Sequence, residues 1–362
     1  MRLLLEKRAE RSRRMAILSP LIAVGLTLLT GAIIFALLGL NPLRALFIYF
    51  IEPLTSSWSI EQLIVKATPL ALIGAGLAIS FRANVWNIGA EGQLTAGAIL
   101  GGLVPVFFPQ WQSPLTFLFM LALGVLGGMA WASIPAVVKN RFNANEILTS
   151  LMLVYVAQLI LDWLVRGPWR DPQGYNFPKT VSFSGWQLLP QFSLGPLYIN
   201  LGAIFALASA LALAFLMART LKGFEIRVMG NSPRAGRFSG FSRARTVWFC
   251  FLLAGGLAGL AGICEVMSTV GQLQPSISPG YGFTAIIVAF LGRLNPLGAL
   301  VAALALAISY LGGEGAQVAL GVSDKIARVF QGILLFYILA CDTLILYHVK
   351  LLTSQRAEAS AA

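Results

Sequence analysis

Six carboxylates fall within or at the edges of long apolar runs: Glu91, Glu146, Asp162, Glu265, Glu314 and Asp342. A charge at the centre of a hydrocarbon layer costs about 2.5–3.5 kcal/mol on insertion scales, so each needs a partner or a role. Asp162 has Arg166 one helical turn on, which reads as a structural ion pair. Asp342 and His348 approach the end of the last apolar run, where snorkelling suffices. Glu91 is different, because it lies in Asn87-Ile88-Gly89-Ala90-Glu91-Gly92-Gln93, a cluster of amide, carboxylate and glycine groups opening an apolar stretch. Two readings stay open on spacing alone. Asn87, Glu91 and Gln93 face a water-filled path and bind a polar solute, or Asn87 caps the helix while Glu91 complements its positive end.

Other chemistries are excluded by the residues themselves. No G-x-x-x-x-G-K-[ST] occurs, since none of the seven lysines follows a glycine, so any ATP-derived energy comes from a partner chain and no cofactor is expected on this one. There is no G-x-S-x-G, no H-E-x-x-H and no kinase signature. Cys250, Cys264 and Cys341 stand singly in apolar segments, which supports neither a disulfide framework nor a zinc site. The single histidine, His348, leaves no metal cluster, and no metal is expected. Transport or structural work therefore ranks ahead of catalysis.

The elements that must hold these groups are membrane helices. Of 362 residues, 57% are hydrophobic and 11% charged, at a mean hydropathy of +0.80, too few charges to coat soluble domains. The pattern predicts an all-α, polytopic membrane protein with about ten segments, near 15–40, 63–80, 88–108, 114–138, 147–165, 197–218, 246–270, 282–291, 296–311 and 326–346. The stretch 282–291 reaches only roughly 15 Å as a helix, so it is a half-span or is buried between neighbours. Gly97 with Gly101, Gly255 with Gly259, and the small-residue run 254–262 predict close helix packing.

The net charge of +12 reads as topology and not as affinity for nucleic acid, because the basic residues sit at the ends of apolar runs. With the N-terminus in the cytoplasm, 19 basic residues fall inside and 7 outside, so both termini are predicted cytoplasmic. The expected organisation is a basic cytoplasmic tail (1–14), a transmembrane domain (15–346) and a cytoplasmic C-terminal tail (347–362). The first apolar run is too long for a signal peptide and reads as a retained helix. The outer loop 166–196 carries Trp169, Tyr175 and Trp186 with several prolines and little charge, suiting a segment at the outer interface. The inner loop 219–245 reads RTLKGFEIRVMGNSPRAGRFSGFSRAR, in which Ser232 can cap a short helix, Pro233 open it and Gly240 end it. A merely solvated basic loop is the plainer reading.

Several stretches together resemble the permease subunits of bacterial ABC importers for simple sugars and nucleosides, the branch that works with basic-membrane-protein-type lipoproteins. They are Lys66-Ala67-Thr68-Pro69-Leu70, Phe81 through Gln93, and Ile226 through Pro233, within a resemblance spanning roughly residues 60–345. The NIGAEGQ string leans toward nucleosides. In the inner loop Arg227, Gly230, Pro233, Ala235 and Gly240 match the family pattern, whereas Val228, Ser232, Gly236 and Phe238 depart from it. The resemblance implies the ABC importer permease fold in the bacterial inner membrane. It implies a dimer with a second homologous permease or with itself, an ABC ATPase subunit below that binds the ATP, and a substrate-binding lipoprotein above. The loop from Arg227 to Phe241 would be the coupling helix, with Arg227, Gly230, Ser232, Pro233, Arg234, Arg237 and Phe238 meeting the ATPase. The rival is a proton-coupled secondary transporter of a small polar solute that uses Glu91, Glu265 and Asp342 as a relay.

Overall fold

The computed structural model describes residues 2–7, 13–195, 197–323 and 325–352. The side chains of Asp342 and His348 and most of the two tails lie outside the described residues. In chain order the elements are β1 (Arg2–Lys7), α1 (Arg13–Leu37), α2 (Pro42–Phe50), α3 (Ser57–Arg82), α4 (Ala90–Phe107), α5 (Pro114–Phe142) and α6 (Glu146–Arg166). They continue with β2 (Gln191–Leu194), β3 (Leu197–Asn200), α7 (Leu201–Arg219), α8 (Leu221–Asn231), α9 (Pro233–Phe238) and α10 (Arg243–Glu265). The chain closes with α11 (Tyr281–Leu291), α12 (Pro296–Leu320), α13 (Lys325–Leu346) and β4 (Tyr347–Leu352). Seven helices among the described residues are long and apolar enough to cross a membrane unaided: α3, α4, α5, α6, α7, α12 and α10 with its extension to Val270. Leu21–Leu37 and Arg328–Cys341 are shorter apolar stretches.

The larger of two compact units runs from Leu54 to Leu311. Its core is built from α4, α5 and α10 at places where no side chain intervenes. A Cβ at Gly97 would collide with the backbone of Gly259, one at Gly128 with the carbonyl of Gly255, and one at Gly262 with the carbonyl of Leu94. Between helices in lipid the hydrophobic effect offers no drive, so contact area at close approach must do the work. The small-residue spacing in the sequence marks these contacts.

The direction of α11 answers the question its length leaves open. Gly74 lies against Ala285 and Val288, and further along the same two helices Phe81 stacks on Phe290 with centroids 5.4 Å apart. Helix α11 thus runs alongside α3 in the same sense. Helix α10 ends in a π-helical turn, Val266–Val270, whose surroundings bond to the loop after α6: Leu189 N donates to Met267 O, Phe183 N to Gly271 O and Thr180 N to Leu273 O. Residues 271–280 then run without helix, and α11 follows over about 16 Å.

The smaller unit joins residues 1–53 to 312–362. Phe330 packs between Phe35 and Tyr49, at centroid distances of 5.5 and 4.8 Å, and Thr30 bonds to the Tyr337 hydroxyl at 2.9 Å. Strands β1 and β4 pair antiparallel, Arg2 opposite Leu352.

Several expected boundaries are corrected. The apolar helix expected from 197 starts at Leu201, because Leu197–Asn200 pairs with Gln191–Leu194 in a hairpin and the Asn200 side chain accepts from Ala203 N. Helix α12 continues past 311 to Leu320, with Gly312 pressed on the carbonyl of Tyr49, so Glu314 is intrahelical. The short helix α2, capped by Asn41, was not expected. Inserting a β-branched side chain between α5 and α10 as Gly128→Val should destabilise the protein by about 1–3 kcal/mol or more, the range for overpacking. A thermal melt in detergent checks this.

Candidate functional site

Between α3 and α4 the chain leaves helical conformation for residues 83–89, starting with Asn84 in the left-handed region at φ 56°. Helix α4 then begins inside the bundle, since a Cβ on Gly89 or Gly92 would meet the backbone of Ser150 or Val154, one and two turns into α6. Non-helical backbone at such depth must find its hydrogen bonds within the protein. It does so through side chains. Asn87 and Gln93, both buried, form a reciprocal amide pair with two bonds of 2.9 Å, while Asn87 Oδ1 also accepts from Gly89 N at 3.1 Å. Ile88 N donates to Ser150 Oγ at 3.2 Å. The N-cap position belongs to Gly89, so Asn87 braces the turn before the helix without capping it.

Glu91 is 2% exposed, and its Oε2 accepts a 2.6 Å hydrogen bond from Gly282 N in the first turn of α11. The starts of α4 and α11 meet here, so close that a Cβ on Gly282 would overlap the Glu91 backbone. Each helix start presents unpaired N–H groups and a partial positive charge. One carboxylate in the first turn of α4 serves both. Spacing left solute binding and capping open, and the geometry supplies a cap that reaches across to a second helix. Thr284 and the Tyr310 hydroxyl, 2.7 Å apart, fasten α11 to α12 a little further along. Glu265 is buried in the last turn of α10 within electrostatic reach of Lys66. Asp162 pairs with Arg166 at 2.7 Å, as the spacing predicted.

The basic loop 219–245 folds as a helical hairpin. Helix α8, absent from the sequence reading, precedes α9, which has Pro233 at its first position as expected. Ser232 holds the N-cap position, but its side chain makes no capping bond. Gly240 adopts φ +83° and ends α9, with Gly240 N donating to Arg237 O and Phe241 N to Gly236 O, the paired bonds of a Schellman stop. The residues assigned to this loop divide between two faces. Gly230 abuts the carbonyl of Arg82, Arg227 is half-buried, and Pro233 borders a cavity of about 20 Å³ with Ala83, Val85 and Met229. Ser232, Arg234, Arg237 and Phe238 are exposed, Phe238 by 94%. Beneath the hairpin, Lys139 and Glu146 form a 2.8 Å ion pair that joins the ends of α5 and α6.

Glu225 was missed. It accepts from Lys222 Nζ at 2.9 Å and from Thr246 Oγ1 at 2.8 Å, tying α8 to α10. The available signal was its isolation as the sole acid between Arg219 and Arg245.

Long helices around a glycine-packed core, helix breaks sealed within the bundle and a helical hairpin at one end describe a multi-pass membrane subunit. A family model described as the branched-chain amino acid transport system / permease component matches residues 59–339, and the chain belongs to that family. The chain is 34% identical to the glucose ABC transporter permease protein TsgB13 of Haloferax volcanii, over 95% of this chain and 92% of that one. It is 28% identical to the nucleoside ABC transporter permease protein NupB of Lactococcus lactis subsp. cremoris, over 89% and 90%. To the guanosine ABC transporter permease protein NupP of Bacillus subtilis it is 27% identical, over 89% and 92%. It is a multi-pass permease subunit of an ABC transporter, a transport component rather than an enzyme, working with an ATPase and a substrate-binding partner. The proton-coupled alternative gives way to this assignment.

Replacing Glu91 by Ala leaves the buried Gly282 N–H without its charged acceptor. It should lower stability by about 1.5–3 kcal/mol, the usual worth of a hydrogen bond to a charged group, with Glu91→Gln falling between Ala and wild type. Chemical denaturation in mild detergent reads the order.

Proposed function

We propose that this chain is one of two permeases, a homologue or a second copy completing the pair, that together enclose the path by which nucleosides or related simple sugars cross a cytoplasmic membrane. ATP is bound and hydrolysed on the partner ATPase, this chain holds no cofactor, and a lipoprotein delivers the solute from outside. The observation that carries this reading is the α8–α9 hairpin. It is wedged under the ends of α3 and α10 by Gly230 and Glu225, and it turns Arg234, Arg237 and Phe238 outward at i, i+3 and i+4 spacing. A short helix held on the bundle ends transmits ATPase closure as rigid-body motion.

The cytoplasmic side is the side of this hairpin, in keeping with its basic residues. The antiparallel pairing of β1 with β4 brings the two chain ends together, which favours both on one face. Asn87, Glu91 and Gln93 brace the wall of the path in this reading, their polar atoms already engaged with one another and with Gly89 and Gly282. Among cargoes, glucose, nucleosides and guanosine are named for relatives. They share a neutral, hydroxyl-rich ring, whereas the family description names branched-chain amino acids.

Proteoliposomes holding the assembled transporter should take up guanosine or glucose only with ATP, and leucine not at all. Leucine uptake, or uptake without ATP, would overturn the reading. An exposed aromatic anchor truncated as Phe238→Ala should weaken co-purification of the ATPase by about tenfold or more, as for interface hot spots. Unchanged recovery would remove α9 from the contact.

A further inference from the structure

Helix α6 presents two kinds of surface away from the bundle. Val154, Ala157, Leu161 and Val165 are buried against its neighbours. On one side of its exposed arc lie Met152, Val156, Ile160 and Trp163, apolar and suited to lipid. On the other side Tyr155, Gln158, Leu159 and Asp162 follow i, i+3, i+4 and i+7, a single stripe that is mostly polar. Gln158 lies eight residues, about 12 Å, before the end of α6 at Arg166, which places it well inside the span.

Among the described residues, neither the Tyr155 hydroxyl nor the Gln158 amide has a hydrogen-bond partner, although both are exposed. An unpaired amide facing hydrocarbon costs several kcal/mol. The stripe therefore faces water or a polar occupant. The opposing wall is the non-helical segment between α10 and α11, where Pro275 and Ser276 complete a cavity of about 420 Å³. That volume lies within the range of roughly 300–1,000 Å³ typical of small-molecule sites.

Resting on the permease reading above, we propose that this cavity is the solute site on the translocation path, and that it recognises a vicinal diol. Asp162 Oδ1 is held by Arg166 Nε at 2.7 Å, while its second oxygen makes no hydrogen bond among the described residues. A carboxylate oxygen so oriented accepts from ring hydroxyls. The Gln158 amide can both donate and accept, and Tyr155 presents a hydroxyl beside an aromatic face. Leu159 and Pro275 supply the apolar surface on which the C–H face of a sugar ring rests. Ribose in a nucleoside and glucose both carry adjacent hydroxyls, so one site of this kind serves either cargo. The non-helical backbone of 271–280 has a purpose here, since a continuous helix would fill the space that the solute crosses.

The test uses the full chain in the assembled transporter, reconstituted in proteoliposomes. Gln158→Cys should react with a membrane-impermeant methanethiosulfonate at least about tenfold faster than Val156→Cys on the lipid side, and the carried probe, guanosine or glucose, should slow that reaction. Equal rates at the two positions, or modification that the carried probe leaves unchanged, would overturn the proposal while ATP-driven uptake by the unmodified chain stood. Absence of uptake of both probes would instead strike the functional reading. Tyr155→Phe and Gln158→Leu, each removing one hydrogen bond, should raise the KM for uptake about tenfold with assembly intact on size exclusion. The unmodified transporter should discriminate against 2′-deoxyguanosine or 2-deoxyglucose, and Asp162→Asn should narrow that preference.

Discussion

Two helices begin inside the bundle of this protein, and their starts point at one another. Each leaves first-turn N–H groups that the helix itself cannot satisfy. The Glu91 carboxylate, in the first turn of α4 and 2.6 Å from Gly282 N of α11, neutralises both positive ends at one point. The break at 83–89 is held by Asn87 and Ser150, and the turn into α11 by Ser278, whose hydroxyl accepts from Gly280 N and Tyr281 N, so the Glu91 bond is the one that joins the two starts. The non-helical segment 271–280 then leads into a helix start that is sealed inside the bundle. The burial of the charge and the presence of the break explain each other.

The same break is contiguous with the α8–α9 hairpin. Gly230 of α8 presses on Arg82, and the cavity beside Pro233 is walled by Ala83 and Val85. Two residues later the chain reaches Asn87, tied to Gln93, and four more bring Glu91. Displacement of the hairpin therefore bears on the non-helical stretch, whose dihedrals are softer than those of a hydrogen-bonded helix. The glycine contacts among α4, α5 and α10 resist in the opposite sense, since backbones pressed together have no side chains to re-pack and must move as one body. A stiff core beside a compliant break is a combination that permits rocking without unfolding.

What was legible in the sequence follows the range of the interaction. The glycine pairs at 97 and 101 and at 255 and 259, the Pro233 start and Gly240 stop of α9, and the Asp162–Arg166 pair all act within a turn or on one helix face, where spacing is geometry. Glu91 could be recognised as anomalous but not assigned, because its partner is 191 residues away and is a backbone group that any residue could supply. The cap, one of two readings open for Asn87, does not hold, since its partner at i+6 is reachable only when the intervening chain is not yet helical. Helix α8 was hidden by Gly223 and Gly230, which lower helix propensity. Both are required for close approach, to the backbone of α7 and of Arg82. Gln158 is a single amide in an apolar run, and nothing in its spacing marks it. Only the direction of its side of α6 and the proximity of Ser276 set it apart.

The division of labour among polar groups carries a general argument about such proteins. A polar side chain at membrane depth either repairs backbone or meets a solute, and the two roles call for opposite surroundings. Repair requires saturation: Asn87, Gln93 and Glu91 are buried, with bonds to one another, to Gly89 and to Gly282. The stripe proposed to meet solute has the reverse character, with the Tyr155 hydroxyl, the Gln158 amide and one oxygen of Asp162 left without partners among the described residues. Saturated groups cannot exchange hydrogen bonds with a passing molecule without releasing the structure they hold. Unsaturated ones exchange water for solute at little net cost. A path that must load and unload quickly is built from the second kind and framed by the first.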